Sequence, residues 1–300
     1  MRNRKLVIFD GNHLAYRALY KFSNLKTLDG VKTGVIYGMP YVAESLIRRL
    51  DPNKVVVTFD GGRDQFRMGL LPSYKQRDQK LGFDKDDFYR QKDIGRDTFM
   101  ALGLSIVWQK YMEADDLIAM VARRYAIKGW DVIIVSGDKD FNQLAQAPDD
   151  TNGEISIYNT TKGKIYGYSN MHKEVGYHAY QCVDYLSLMG DKSDHIPGYP
   201  GMGPKRTSQL LEKYGSVKEF LISGDKFGKI DNEKLAELMI LNKKMIDLKY
   251  FYRKFLMHKS IPYLDPNAKY DAIKLKGLCG QYEMNSFLKP QFIKTFKNLR

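Results

Sequence analysis

Three short apolar runs, each ending at or just before an aspartate, constrain the fold more than any other feature of this 300-residue chain. They are residues 6–9 before Asp10, residues 55–59 before Asp60, and residues 132–135 shortly before Asp138. Continuous β-branched runs of this length are typical of strands buried on both faces of a parallel sheet. Residues 35–50 and 115–126 have helical periodicity. The alternation predicts an α/β fold with a mostly parallel central sheet flanked by helices.

Ligands of such sheets bind at the carboxyl ends of the strands. Three strands that lead into aspartates therefore direct three carboxylates toward one crevice. Further along the chain, residues 155–158 and 164–166 flank a polar turn and predict a β-hairpin. The remainder, including a basic C-terminal region, has helical patterns.

The charge of the chain indicates a polyanionic partner. There are 48 lysines and arginines against 35 acidic residues, a formal net charge of +13. The two cysteines, Cys182 and Cys279, form no CxxC or Cys/His pattern, which excludes a zinc finger and a disulfide framework and favours a reducing compartment. No signal peptide or membrane-spanning run is visible. We therefore expect a cytoplasmic protein with no membrane partner.

Residues 63–97, after the second aspartate-tipped strand, are dense in basic residues with interleaved aromatics. A charge run of this kind forms a solvated helical insertion in many proteins. The alternative is a lid over the crevice that holds a single strand by phosphate contacts and base stacking. The sequence leaves both interpretations open.

Acidic residues recur in three further blocks, Glu113-Ala114-Asp115-Asp116, Gly137-Asp138-Lys139-Asp140 and Gly190-Asp191-Lys192-Ser193-Asp194. Any one acid is explained as a helix cap or a turn residue. With Asp10 and Asp60 they make nine, and two unit charges about 4 Å apart repel by ~4 kcal/mol at an effective dielectric near 20. Divalent cations with oxygen ligands, Mg²⁺ in particular, relieve such repulsion. An acidic pocket in a basic protein is typical of a metal-dependent nuclease.

A glycine- and proline-rich stretch, residues 196–205, separates two predicted helices. It forms either a plain turn or a helix–hairpin–helix that grips a duplex backbone without reading bases. Gly203 precedes Pro204, so the next helix begins with free N–H groups that suit a phosphate.

These blocks carry a family resemblance. Phe9-Asp10-Gly11-Asn12, the three acidic blocks and residues 188–198 resemble, in order, the signature segments of the 5′ nuclease (flap endonuclease) family. That family includes the 5′ nuclease domain of bacterial DNA polymerase I and free-standing phage enzymes. The resemblance covers residues 5–220 and is to the stand-alone, phage type, which implies the cytoplasm of a bacterial or phage-infected cell.

The resemblance implies a PIN-like core with a helical arch. We expect residues 1–180 to form the metal-dependent nuclease core, with the arch at about 63–97, and residues 181–300 to carry the helix–hairpin–helix and further helices packed on the core. It also implies two metal clusters, with two or more Mg²⁺ ions for which Mn²⁺ substitutes. The first would use Asp10, Asp60, Glu113, Asp115 and Asp116, and the second Asp138, Asp140, Asp191 and Asp194.

At the base of the arch, Lys75 and Arg67 would contact the scissile phosphate and join Asp138 in catalysis. Tyr74 would stack on a base beside the cut. Further DNA contacts would come from Arg77 in the arch and from Gly201, Gly203 and Lys205 in the hairpin, where a K⁺ ion would assist.

The implied function is two-metal hydrolysis of phosphodiester bonds at 5′ flaps and 5′ ends of duplex DNA. Removal of RNA primers during replication is compatible with it. Two alternatives are a junction-binding protein with an inert acidic pocket and a PIN-like ribonuclease. The complete set of nine acids disfavours the first, and the hairpin with the basic insertion disfavours the second. We expect a monomer; contact of the basic tail with DNA, a single-strand-binding protein or neither is left open.

Overall fold

The computed structural model describes residues 4–76, 82–149, 152–257 and 268–299. Its strands are β1 (Lys5–Asp10), β2 (Lys54–Thr58), β3 (Ser105–Val107), β4 (Asp131–Ser136), β5 (Ile155–Asn159) and β6 (Lys164–Tyr166). They form one sheet in the order β3-β2-β1-β4-β5-β6. All neighbours are parallel except β5 and β6, which form the predicted hairpin. The predicted mostly parallel α/β sheet is confirmed.

The helices cover both faces of this sheet and continue into the C-terminal region. They are α1 (Gly11–Lys21), α2 (Gly34–Leu50), α3 (Gln65–Leu70), α4 (Lys85–Ala101), α5 (Ala114–Ala126), α6 (Met171–Val175), α7 (Cys182–Met189), α8 (Pro204–Tyr214), α9 (Val217–Ser223), α10 (Asn232–Ile246), α11 (Leu248–Phe251), α12 (Ala272–Gln281) and α13 (Pro290–Lys297). Short 3₁₀ turns lie at Lys139–Leu144, Ala179–Gln181 and Asn285–Leu288, and a π-helical turn at Tyr252–Leu256.

Alternate residues of the buried strands supply two hydrophobic cores. In β1, Val7 and Phe9 pack with α1, α2 and α4 on one face, whereas Leu6 and Ile8 pack with α5 on the other. All four side chains are fully buried. Burial on both faces is the reason why these strands have uninterrupted apolar sequences.

The basic stretch at residues 63–97 contains α3 and most of α4. Helix α4 is fixed to α2, because the backbone N–H of Val35 donates to Gln91 Oε1 at 2.9 Å. At Gly95 an added Cβ would lie 2.8 Å from Met39 Sδ, so any larger residue there would have to displace the Met39 side chain. Helix α4 is therefore packed into the hydrophobic core beside α2.

The predicted helix–hairpin–helix is present as α7, a hairpin and α8. Two backbone hydrogen bonds between Asp191 and Ile196, at 2.8 and 2.9 Å, close the first part of the connection. Leu188, Leu210 and Phe220 are buried in a small core of this region. The helices that flank the hairpin therefore have a small hydrophobic core of their own.

Helices α12 and α13 return to the first core. Leu275, Phe287 and Phe296 are buried in the same cluster as α2 and α4. Thr295 Oγ1 lies 2.9 Å from Glu44 Oε1 of α2, and the N–H of Asp271 donates to the carbonyl of Ala101 at 2.8 Å. The last helices are therefore part of the hydrophobic core that α1, α2 and α4 form on one face of the sheet.

In the part of the chain that the structure describes, no helix is both long enough and apolar enough to cross a membrane.

Candidate functional site

The carboxyl edge of the sheet carries the predicted aspartates. Asp10 ends β1 and caps α1, where it accepts a hydrogen bond from the N–H of His13 at 2.9 Å. Its other oxygen accepts from Ser136 Oγ at 3.1 Å, at the end of β4. Asp60 follows β2 and accepts from the N–H of Ala114 at 2.7 Å, which places the start of α5 beside β2. The neighbouring strand ends thus bring these acids to one crevice.

Asp115 and Asp138 complete the first acidic group. Burial and then repulsion from Asp138, Asp10 and Asp60 raise the pKa of Asp115 well above its ordinary value. Burial, with repulsion from Asp60 and Asp138, raises the pKa of Asp10 to about 7. These four carboxylates therefore face one another in the crevice.

The second acidic group consists of Asp138, Asp140, Asp191 and Asp194. Burial, and then repulsion from Asp138, Asp191 and Asp194, raise the pKa of Asp140 to about 8. Lys139 Nζ lies 3.1 Å from Asp191 Oδ2, and Ser193 Oγ donates to Asp191 Oδ1 at 2.5 Å. Burial opposes them, but these bonds lower the pKa of Asp191 below its ordinary value. Asp138 belongs to both groups and connects them.

Glu113 has one engaged and one orphaned oxygen. Its Oε2 accepts from Tyr74 Oη at 2.9 Å and from Lys75 Nζ at 3.0 Å. Its Oε1 is buried and has no hydrogen-bond partner among the described residues. A buried carboxylate oxygen of this kind is costly unless a cation or water completes its shell.

The donor set fits hydrated divalent cations. The candidate ligands are all carboxylate oxygens, which hard cations prefer, and Mg²⁺ keeps several waters while using few protein ligands. Within the described residues, no three acidic, histidine or cysteine side chains close into a compact ligand set. Burial, and then repulsion between neighbouring carboxylates, raises the pKa of Asp10 and Asp140. A bound divalent cation would offset this repulsion.

Arg67 and Asp116, two of the predicted site residues, bind each other in the structure. Arg67 donates to both carboxylate oxygens of Asp116, at 2.6 and 2.9 Å, and both side chains are buried. The Arg67 guanidinium also donates to the carbonyl of Met245 and lies 4.6 Å from the Phe251 ring centroid. The positions of the two residues do not support the predicted phosphate contact and metal ligation. They form a structural ion pair behind the crevice.

Tyr74 is also held differently from the expectation. Its side chain is buried, with 3% exposed, and its hydroxyl is bonded to Glu113. A ring in this position cannot stack on a DNA base without a rearrangement. Tyr74 orients Glu113 in this structure.

Lys75 lies inside the crevice, and its contact with the scissile phosphate stays a prediction. Its Nζ is 3.0 Å from Glu113 Oε2 and 3.8 Å from Asp194 Oδ2. Burial opposes it, but the attraction of Glu113 and Asp115 raises the pKa of Lys75 above its usual range. This lysine therefore stands between the two acidic groups as a permanent cation.

The hairpin residues are accessible. Gly201 has a left-handed φ of +78° and is exposed, which favours glycine there. Gly203 caps α8, and an added Cβ there would contact no atom within 4 Å. Lys205 is exposed in the first turn of α8. Arg77 lies outside the described residues.

Three crevice residues are not singled out by sequence reasoning. Ser136 donates a hydrogen bond to Asp10. Lys92 lines the crevice from α4 and donates a hydrogen bond to Asn12. Asn12 and Ser136 adjoin the acidic blocks, which is a usable signal. Lys92 is one of many basic residues in its stretch, and only the orientation of α4 distinguishes it.

The fold and the acidic crevice define a class, a nuclease with a PIN-like core. A family model described as "5'-3' exonuclease, N-terminal resolvase-like domain" matches residues 5–176, and one described as "5'-3' exonuclease, C-terminal SAM fold" matches residues 177–258. The chain belongs to the 5′-3′ exonuclease family.

Two curated relatives cover nearly all of this chain. It is 30% identical over 289 residues to a 5′-3′ exonuclease of Aquifex aeolicus, which covers 95% of this chain and 94% of that protein. It is 33% identical over 297 residues to DNA polymerase I of Bacillus subtilis, which covers 99% of this chain. The chain spans 31% of the length of that polymerase.

A solved structure shares the fold. The T5 D15 protein, crystallised with metal ions, has a TM-score of 0.67 and 22% identity, over 83% of this chain and 91% of its own. The same phage protein, described as a flap endonuclease, has also been crystallised with DNA and metal ions.

Proposed function

We propose that this protein hydrolyses phosphodiester bonds at 5′ flaps and at 5′ ends of duplex DNA, as a flap endonuclease and 5′→3′ exonuclease. The reaction requires two or more Mg²⁺ ions, and Mn²⁺ substitutes for them. The observation that carries the proposal is the position of Asp138 between the two groups. Its N–H donates to Ser136 Oγ at 3.2 Å, and that hydroxyl donates to Asp10 at 3.1 Å. Its Oδ1 accepts from the N–H of Asp140 at 2.9 Å. Two adjoining acidic groups with a shared member suit a pair of cations.

The crevice residues have two roles in this proposal: the acids bind the metal ions, and Lys75 stabilises negative charge. Asp10, Asp60, Glu113, Asp115 and Asp138 would hold one ion, directly or through water, and Asp138 with Asp140, Asp191 and Asp194 the other. Bound divalent ions lower the pKa of attacking water and offset the charge that develops on the phosphate. Lys75 adds a fixed positive charge between the groups, where it stabilises negative charge as it develops.

The surroundings favour a nucleic-acid backbone as substrate. Nine of the 35 acidic residues are the predicted crevice acids, while 48 basic residues give the chain its net charge of +13. The hairpin backbone at Gly201 and Gly203, with Lys205 beside it, suits duplex phosphates, and the Arg206 guanidinium, which donates to the Gly201 carbonyl at 3.2 Å, adds positive charge there. A K⁺ ion at this hairpin is part of the proposal. Contacts of this kind do not require deoxyribose, so RNA primers annealed to DNA fit the same site. We also propose that the protein acts as a monomer.

A 5′-flap duplex labelled at the flap end tests the proposal, with Mg²⁺ or EDTA present. We expect Mg²⁺-dependent release of a fragment near the junction, together with shorter products of 5′→3′ digestion. Mononucleotides alone would limit the activity to that of an exonuclease. Binding without cleavage at any Mg²⁺ or Mn²⁺ concentration would favour the junction-binding alternative, and cleavage of RNA alone would favour the ribonuclease.

Matched aspartates provide the variants. Asp138→Asn should abolish cleavage and retain DNA binding. Asp51→Asn is the control, because Asp51 is exposed just before β2, at the opposite edge of the sheet. Its backbone has a φ of +48°, which asparagine tolerates. Full activity of Asp138→Asn would contradict the metal-site assignment.

A further inference from the structure

A cavity of about 330 Å³ opens beside the acidic crevice. Asp60 and Glu113 form its acidic wall, and the basic side chains that line it are Arg63, Lys75, Lys85 and Lys92. A cavity of this size can hold a phosphodiester with its sugar.

The positive charge of Lys75 is already compensated by neighbouring carboxylates. Its ammonium is 3.0 Å from Glu113 and 3.8 Å from Asp194, two carboxylates of the same site. The hydroxyl of Tyr74 bonds to the same Glu113 oxygen and helps to fix it. A phosphate that binds Lys75 must therefore compete with carboxylates that are already in place.

Lys92 enters the cavity from the other wall and has no such partner. Its Nζ donates to the neutral amide oxygen of Asn12 at 3.1 Å and lies 5.0 Å from the Tyr89 ring centroid. Among the described residues it makes no ion pair, although Asp60 and Asp10 attract it. An ammonium has three donors, of which the asparagine uses one.

The ammonium is also held in position. Gln91, the preceding residue of α4, is buried and bonded to the backbone of Val35. Burial lowers the pKa of Lys92, and the attraction of Asp60 only partly offsets this. The pKa of Lys75 changes in the opposite direction because its carboxylate partners are close. Among the described residues that line the cavity, Lys75 is paired with carboxylates at 3.0 and 3.8 Å, whereas Lys92 makes no ion pair.

We propose that Lys92 is a second phosphate-binding residue of the active site, which contacts the backbone of the strand held over Asp60 and Asp10. This inference rests on the proposed nuclease function. The phosphate supplies the anion that Lys92 lacks, and Asn12 presents the ammonium to it. A strand must lie between α4 and the turn that carries Lys75 to make this contact, so Lys92 favours strands that have entered the crevice.

The first test measures binding without metal. The affinity of Lys92→Met for a 5′-flap duplex is determined in EDTA at several salt concentrations. Loss of one phosphate contact should reduce the slope of log K against log salt by about 0.7–0.9. Lys128→Met is the matched control, because Lys128 is exposed and lies over the ring of Tyr125 at 6.0 Å, next to the start of β4.

The second test measures single-turnover cleavage with Mg²⁺. Lys92→Met should cleave about tenfold to hundredfold more slowly than wild type, and Lys92→Arg should recover most of the rate because it keeps the charge. An unchanged slope and rate in Lys92→Met would overturn the proposal. Equal losses in Lys92→Met and Lys92→Arg with an unchanged slope would also overturn it, since they would indicate a packing role. Absence of cleavage by wild type would instead reject the nuclease function.

Discussion

The guanidinium of Arg67 binds both carboxylate oxygens of Asp116, at 2.6 and 2.9 Å, in a site closed to solvent. The pair joins α3, in the basic insertion, to the first turn of α5. Asp115, the neighbouring residue, faces the crevice and its acids instead. Two adjacent aspartates therefore have opposite environments, one paired with a cation and one surrounded by like charges.

Replacing each of these aspartates by asparagine should change stability in opposite directions. Asp116→Asn leaves Arg67 buried and unpaired, so the free energy of unfolding should fall by about 3–5 kcal/mol. Asp115→Asn removes a carboxylate that is repelled by Asp138, so the free energy of unfolding should rise when no divalent ion is present. Urea unfolding at pH 7 in EDTA measures both changes.

Cleavage by the same two variants should show the reverse order. At a temperature where both are folded, Asp116→Asn should retain most of its Mg²⁺-dependent activity, whereas Asp115→Asn should lose nearly all of it. If Asp116→Asn were as stable as wild type but inactive, Asp116 would be a metal ligand after all.

Lys75→Ala should affect both stability and chemistry. Glu113 would lose its closest cation, at 3.0 Å, and this should lower the free energy of unfolding by about 1–3 kcal/mol. The single-turnover cleavage rate should fall by about a hundredfold, with a much smaller change in DNA affinity. Lys162→Ala, at an exposed turn between β5 and β6, is the control. An unchanged single-turnover rate would remove Lys75 from the reaction.

The strands and the acidic crevice could be predicted because their signals are local. Continuous apolar runs identify β1, β2 and β4, and parallel pairing brings Asp10, Asp60 and Asp138 to the same edge. The strand β3 could not be predicted, since its three residues, Ser105–Val107, are too few to form a pattern.

Partners of the charged residues could not be predicted in the same way. Whether Asp116 binds a metal or Arg67 depends on which face of α5 is turned inward, and its sequence block is acidic in either case. Lys92 differs from the other basic residues of its stretch only because Gln91 and Gly95 fix α4 against α2. These distinctions arise from tertiary packing.

His13 should make stability depend on pH. Burial, with repulsion from Arg17, lowers the pKa of His13 from 6.5 to about 4, and its Nε2 lies 2.6 Å from Thr160 Oγ1. Below pH 6.5 the unfolded chain binds a proton that the folded chain does not, so His13 stabilises the fold above that pH. This contribution should be lost as the pH falls toward 4, by up to about 1.4 kcal/mol per pH unit.

The measurement is urea unfolding of wild type and His13→Gln between pH 4 and pH 8, with the two curves subtracted. The difference in unfolding free energy should favour wild type most at pH 8 and diminish as the solution becomes acidic. A difference that is constant across this range would show that His13 does not titrate between the folded and unfolded states.

Phe287→Ala should destabilise the whole core, although residue 287 lies beyond both matched family domains. The ring is fully buried between Tyr37 and Phe292, with centroid distances of 4.9 and 4.3 Å. Because α2 supplies Tyr37, loss of the ring should lower the free energy of unfolding by about 3–5 kcal/mol. Ile273→Ala, with 88% of that side chain exposed, should change it by less than about 0.5 kcal/mol.

Urea unfolding followed by circular dichroism should show one transition for Phe287→Ala, shifted to lower urea. A separate early transition, with the main one unchanged, would mean that the C-terminal helices fold independently of the sheet.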